Sequence, residues 1–139
     1  MTTPRIAGVL EAALYAEDLD AAERFYGGTL GLPVIVRVEG RHVFFRSGET
    51  ILLVFDPRAT AIPPGPDALP VPPHGAHGPG HVCFTAEDDA LDDWSQALTK
   101  AGVDIEAVVE WPHGPRSIYV RDPAGNSVEF AERKLWDEA

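Results

Sequence analysis

Three residues have the types and settings to do chemistry together. Glu11 interrupts the otherwise apolar run Val9 to Ala16, His81 opens the run His81 to Thr85, and Glu129 sits inside Ser-Val-Glu-Phe-Ala. Two carboxylates and an imidazole make a hard, oxygen-rich donor set suited to Mn²⁺, Fe²⁺, Co²⁺, Ni²⁺ or Zn²⁺. Each residue also has an ordinary reading. Glu11 can reach solvent from an edge, His81 can be a satisfied edge histidine, and Glu129 can belong to the wet face of an alternating strand. Burying two carboxylates with no cation costs several kcal/mol or drives their pKa values upward, and a metal removes that cost.

What joins the three is a duplication. Glu11 lies seven residues before Asp18, and His81 lies seven before Asp88, so a carboxylate and an imidazole take the same place in two similar units. Compare LYAEDLDAAERFY with CFTAEDDALDDWS: each runs from a strand end through an acidic cap into an amphipathic helix. Glu129 follows Gly125 by four residues, and the residue four after Gly48 is Leu52, so three of four equivalent positions carry ligand types and the fourth is apolar.

The elements that must position these residues follow from periodicity. Val9 to Ala16 is strand-like, and Asp18 is placed to cap a helix on which Ala22, Phe25, Tyr26 and Leu30 share a face. Gly31 and Pro33 stop that helix, and strand-like runs follow at Val34 to Val38, His42 to Arg46 and Thr50 to Phe55. Seven prolines fall between Pro63 and Pro79, so Ile62 to Gly80 is expected to be a linker. The order then repeats: a strand at His81 to Thr85, then a helix with Leu91, Trp94, Leu98 and Ala101 on one face, ending at Gly102. Strands at Ile105 to Val109, Ser117 to Val120 and Ser127 to Ala131 complete it. The expected organisation is one domain over 1–139, with module 1 at about 6–58, a linker at about 62–80 and module 2 at about 81–133.

A net charge of −11 disfavours nucleic acid and anionic membrane surfaces as partners. The single cysteine, Cys83, excludes an intrachain disulfide framework and fits a reducing compartment. No apolar run reaches the roughly 20 residues that span a bilayer, and the N-terminal stretch lacks the apolar core and cleavage site of a secretory signal, so a cytoplasmic protein is expected.

The chain resembles the vicinal oxygen chelate superfamily, which includes glyoxalase I, fosfomycin-resistance thiol transferases, methylmalonyl-CoA epimerase, extradiol dioxygenases and bleomycin-binding proteins. The resemblance runs through Asp18-Leu19, Phe25-Tyr26 and Leu30-Gly31-Leu32, then Gly80-His81-Val82, and Asp122-Pro123-Ala124-Gly125-Asn126-Ser127-Val128-Glu129. It implies an α+β fold of two βαβββ modules whose U-shaped mixed sheet surrounds a metal pocket, with Glu11, His81 and Glu129 as ligands and a homodimer as the assembly. Leu52 departs from the four-ligand pattern of glyoxalase I. The spacing from Tyr119 to Glu129 matches the extradiol dioxygenases, but Glu11 stands where their first histidine belongs, and His113 is slightly misplaced for another motif position.

The chemistry implied is Lewis-acid catalysis on a small substrate with adjacent oxygens, with Glu129 or Glu11 as base and Tyr119 as a hydrogen-bond donor. Side chains two apart on a strand share a face, so Tyr15 accompanies Glu11 and Cys83 accompanies His81 at the substrate. Arg116, Arg46 and His42 are the groups placed to hold an anionic substrate end. The competing reading is a drug-sequestering protein of the bleomycin-resistance type that needs no metal.

Overall fold

The protein is described by a computed structural model covering residues 2–87 and 89–137, so the Asp88 cap expected for the second unit lies outside the described residues. Two modules of like order are present. Module 1 has β1 (Glu11–Tyr15), α1 (Leu19–Glu23), β2 (Val34–Val38), β3 (His42–Ser47) and β4 (Thr50–Phe55). Module 2 has β5 (His81–Ala86), α3 (Leu91–Lys100), β6 (Ala107–Glu110), β7 (Arg116–Arg121) and β8 (Ser127–Glu132). Each builds a four-stranded mixed sheet, ordered β1-β4-β3-β2 and β5-β8-β7-β6, with the first strand parallel to the last of its module. This is the α+β, twice-repeated βαβββ architecture expected from the sequence.

Local chemistry accounts for the first helix. The Asp18 carboxylate accepts from the Ala21 N–H at 3.0 Å, closing the helix N-terminus as expected. Beyond Glu23 the helix widens into a π-helical turn, Arg24–Thr29, around the Gly27-Gly28 pair. A single-turn helix that periodicity did not reveal, α2 (Pro57–Thr60), follows β4; Asp56 caps it and Pro57 takes its first position, where a missing N–H costs nothing.

The two modules share one core on their helix-facing sides. Tyr26 is fully buried between Phe45 of module 1 and Phe84 of module 2, with ring centroids 5.7 and 6.4 Å away. The opposite face of each sheet is the more accessible one, exposing Glu11 and Ala13 in module 1 and His81 and Cys83 in module 2, although Leu53, Phe55, His42 and Glu129 on it are buried. Among the described residues no helix is long and apolar enough to cross a membrane.

The register corrects one equivalence. Ala13 pairs with Leu53 across β1 and β4, whereas Cys83 pairs with Glu129 across β5 and β8. The structural counterpart of Glu129 is therefore Leu53, and Leu52 points the other way into the core. Counting from the glycine failed because a one-residue slip in register exchanges the faces of a strand. The fourth position remains apolar.

Candidate metal centre and adjoining cavity

His81 and Glu129 meet on the accessible face of module 2. Parallel pairing sets Cys83 beside Glu129, and antiparallel pairing sets Tyr119 on its other side, so the three side chains form a row. His81, one step along β5, brings its Nε2 to 3.2 Å from Glu129 Oε1. The tautomer follows from the other ring nitrogen: His81 Nδ1 lies 3.1 Å from the Ser127 carbonyl, which only accepts, so Nδ1 carries the proton. With a second proton on Nε2 the ring is an imidazolium donating to Glu129; without one, two acceptors face each other at 3.2 Å. Glu129 is buried, and its second oxygen, Oε2, has no hydrogen-bond partner. A proton on the pair, a donor hydrogen from the flanking Tyr119 hydroxyl or Cys83 thiol, or a cation would satisfy that carboxylate. The 3.2 Å spacing suits an ion pair as well as two donors to one cation.

The neighbours respond to the same carboxylate. Desolvation and the Glu129 charge push the Cys83 thiol up to about 12, so this thiol is no nucleophile at neutral pH. Desolvation, the Glu129 charge and hydrogen bonding to that carboxylate raise the Tyr119 hydroxyl above its usual value, keeping it a proton donor. The Tyr119 ring lies nearly parallel to His81, with centroids 6.3 Å apart.

Glu11 does not join them within the chain. It sits at the start of β1 in the other sheet, and among the described residues no group of three His, Cys, Asp or Glu side chains could hold a metal. Arg116 is also elsewhere. It lies one residue out of phase with Tyr119, on the helix side of β7, where it pairs with Asp92 and Glu132. Strand alternation from Tyr119 would have revealed this from the sequence. His113 is bonded to the Leu135 carbonyl at 3.0 Å.

Tyr15 and His42 belong to a second feature, a cavity of about 1010 Å³ on the accessible face of module 1. Glu11, Ala13 and Tyr15 line it from β1, and the proline-rich segment forms its far wall through Ile62, Leu69, Val71 and His74. That segment is more than the connector expected: His74 N–H donates to the Thr60 carbonyl at 3.0 Å, and its ring nitrogen Nδ1 lies 2.8 Å from the Tyr15 hydroxyl.

His42 carries a testable consequence. Burial first, and then the Arg41 charge, lower its pKa below the ordinary 6.5. The unfolded chain takes up a proton near 6.5 that the folded chain refuses, so stability is lost as pH falls through that value. Denaturant titrations between roughly pH 5 and 7.5 are expected to show the decline, and a His42→Phe variant is expected to flatten it.

A family model described as Glyoxalase/Bleomycin resistance protein/Dioxygenase superfamily matches residues 8–130. Among solved structures, a lactoylglutathione lyase from Agrobacterium tumefaciens is similar at 44% identity and a TM-score of 0.90, covering 96% of this chain and 98% of that one. A superfamily member from Sphaerobacter thermophilus shares the fold at 23% identity and a TM-score of 0.67, over 92% of this chain and 98% of that one. No curated protein matches the sequence.

Proposed function

Because the chain belongs to the Glyoxalase/Bleomycin resistance protein/Dioxygenase superfamily, we propose that it is a divalent-metal-dependent lyase of the lactoylglutathione lyase kind, working as a homodimer. The observation that carries this reading is the His81–Glu129 pair, an imidazole nitrogen 3.2 Å from a buried carboxylate whose other oxygen is unpartnered. The donor set of His81 and Glu129 from one copy and Glu11 from a second suits Mn²⁺, Fe²⁺, Co²⁺, Ni²⁺ or Zn²⁺. Bound there, the ion supplies Lewis-acid stabilisation of negative charge on adjacent substrate oxygens.

The protein's own residues then divide the work. Ser127 holds the His81 ring so that Nε2 stays available. Glu129 or Glu11 takes a proton from the substrate carbon, and the Tyr119 hydroxyl, held protonated, donates a hydrogen bond to a substrate oxygen. A partner copy is favoured by exposed apolar surface on module 1: Val34, Ile35, Val36 and Val38 of β2 are each 42–44% exposed, and Val9 and Leu10 beside Glu11 more so.

Mixing separates the arrangements. Glu11→Gln and Glu129→Gln are each expected to bind no stoichiometric metal. If sites span two chains, an equal mixture of the variants, unfolded and refolded together, forms mixed dimers with one complete site, restoring about a quarter of the wild-type metal content. Restoration of none would sink the shared site. Wild-type protein that holds no divalent ion by elemental analysis, with a Tm indifferent to chelator, would sink the metal reading. The roomy module 1 cavity favours one alternative, a ligand-sequestering protein.

A further inference from the structure

The module 1 cavity has walls of a particular kind. The His42 ring stacks on Phe44 with centroids 4.0 Å apart and planes 11° from parallel. Phe55 stands edge-on to both at 5.6 and 5.4 Å, and His74 stands edge-on to Phe55 at 4.7 Å. Such a box of ring faces and edges receives a flat ring better than a puckered one.

Two of its polar groups keep capacity that the protein does not use. Arg41 Nη1 lies 3.1 Å from His42 Nδ1, and a guanidinium only donates, so Nδ1 accepts. The proton of neutral His42 is therefore on Nε2, which bonds no protein atom among the described residues although the residue is only 9% exposed. Among the described residues no carboxylate pairs with Arg41, in a chain of net charge −11, and its guanidinium instead lies 5.7 Å from the Phe55 ring centroid. A donor without an acceptor and a cation without a counter-ion share one aromatic cavity.

We propose that this cavity binds a planar aromatic group carrying an anionic or carbonyl oxygen, with the ring against Phe44 and Phe55 and the oxygen on His42 Nε2, while Arg41, held on the opposite ring nitrogen, fixes that tautomer and adds its positive charge. The inference rests on the lyase reading only in taking that group as part of the substrate. With Glu11 at the cavity's edge, the aromatic group would lie on the β1 side of the proposed metal. The proline-rich wall fits this use, because its fixed backbone encloses the cavity at little entropic cost.

The test uses the full chain treated with chelator, so that it does not depend on metal. Calorimetric titration with benzoate is expected to give saturable one-to-one binding about tenfold tighter than cyclohexanecarboxylate, which has the same charge on a puckered ring. His42→Phe keeps the aromatic wall and loses the N–H, and Arg41→Gln is a half-exposed change that leaves the core alone. His42→Phe is expected to weaken benzoate about tenfold or more, the effect of one hydrogen bond to a charged group, and Arg41→Gln to weaken it several-fold by removing the positive charge and the group that fixes the His42 tautomer. Equal binding of the two acids, no binding of either, or benzoate affinity unchanged in Arg41→Gln would overturn the proposal. Benzoate binding by a chain that takes no metal would overturn the lyase reading alone, and metal binding without benzoate binding would overturn this inference alone.

Discussion

Glu129→Gln is expected to reverse the order of stability between two conditions. In chelator at about pH 8 the variant should unfold at a higher temperature than wild type, and with a saturating divalent ion at a lower one. In the metal-free protein Glu129 is a buried carboxylate whose Oε2 has no partner and whose Oε1 lies 3.2 Å from His81 Nε2. Removing an uncompensated buried charge while keeping the side-chain shape is worth about 1–2 kcal/mol, or roughly 3–8 °C in Tm for a domain of this size.

With metal the balance inverts. A ligand at 1,000 times its Kd stabilises the folded state by about 4 kcal/mol, and a neutral amide in place of the carboxylate forfeits most of that. Thermal unfolding of both proteins, with and without ion, reads the crossing. A variant less stable than wild type even in chelator would mean that Glu129 is satisfied without a cation, and the metal centre would lose its main support.

That pair was partly legible in the sequence, and the reasons are local. The duplication put His81 at the start of a strand and Glu129 in the parallel strand that closes the module, and adjacency in that ladder brings them together. The Asp18 cap and the Gly102 stop, where φ is +81°, were equally readable because each is a short-range backbone requirement. Register was harder. A slip of one residue swaps faces, so glycine counting selects Leu52 where the ladder places Leu53, and Arg116 lies on the helix side of β7 rather than at the substrate face. Proline forbids strand pairing, so the proline-rich segment reads from sequence as a connector. That reasoning excludes a strand and says nothing about Leu69, Val71 or His74 covering an aromatic sheet face. Nor does a sequence show that Arg41 fixes the His42 tautomer, which depends on a distance between neighbouring side chains.

The Asp122-to-Glu129 stretch served as a motif in the sequence, and its first residue is expected to give the largest stability loss of any single change considered for this chain. The buried Asp122 carboxylate accepts four hydrogen bonds: from the Tyr26 hydroxyl at 2.7 Å, Asn126 Nδ2 at 2.8 Å, and the Ala124 and Asn126 N–H groups at 2.9 Å. Asn126 passes the connection on, donating to the Tyr15 carbonyl and accepting from the Gly80 N–H next to His81. One carboxylate thus ties the π-helical turn, the end of β1 and the entry to β5 to the turn that launches Glu129. Burial and Asp122 hold the Tyr26 hydroxyl protonated far above its usual range, so this donor persists at any ordinary pH. Asp122→Ala strands a buried hydroxyl and two turn amides, and should cost about 3–5 kcal/mol, lowering Tm by roughly 10–20 °C. Tyr26→Phe removes one donor and should cost only about 1–2 kcal/mol. Because the two changes remove a shared bond, the double variant should lose less than the sum of the singles. Denaturant unfolding of all four proteins reads the cycle. Strict additivity, or an Asp122→Ala cost below about 1 kcal/mol, would mean that the turn holds its shape without the carboxylate, and that backbone pairing of β5 with β8 alone sets the geometry of His81 and Glu129.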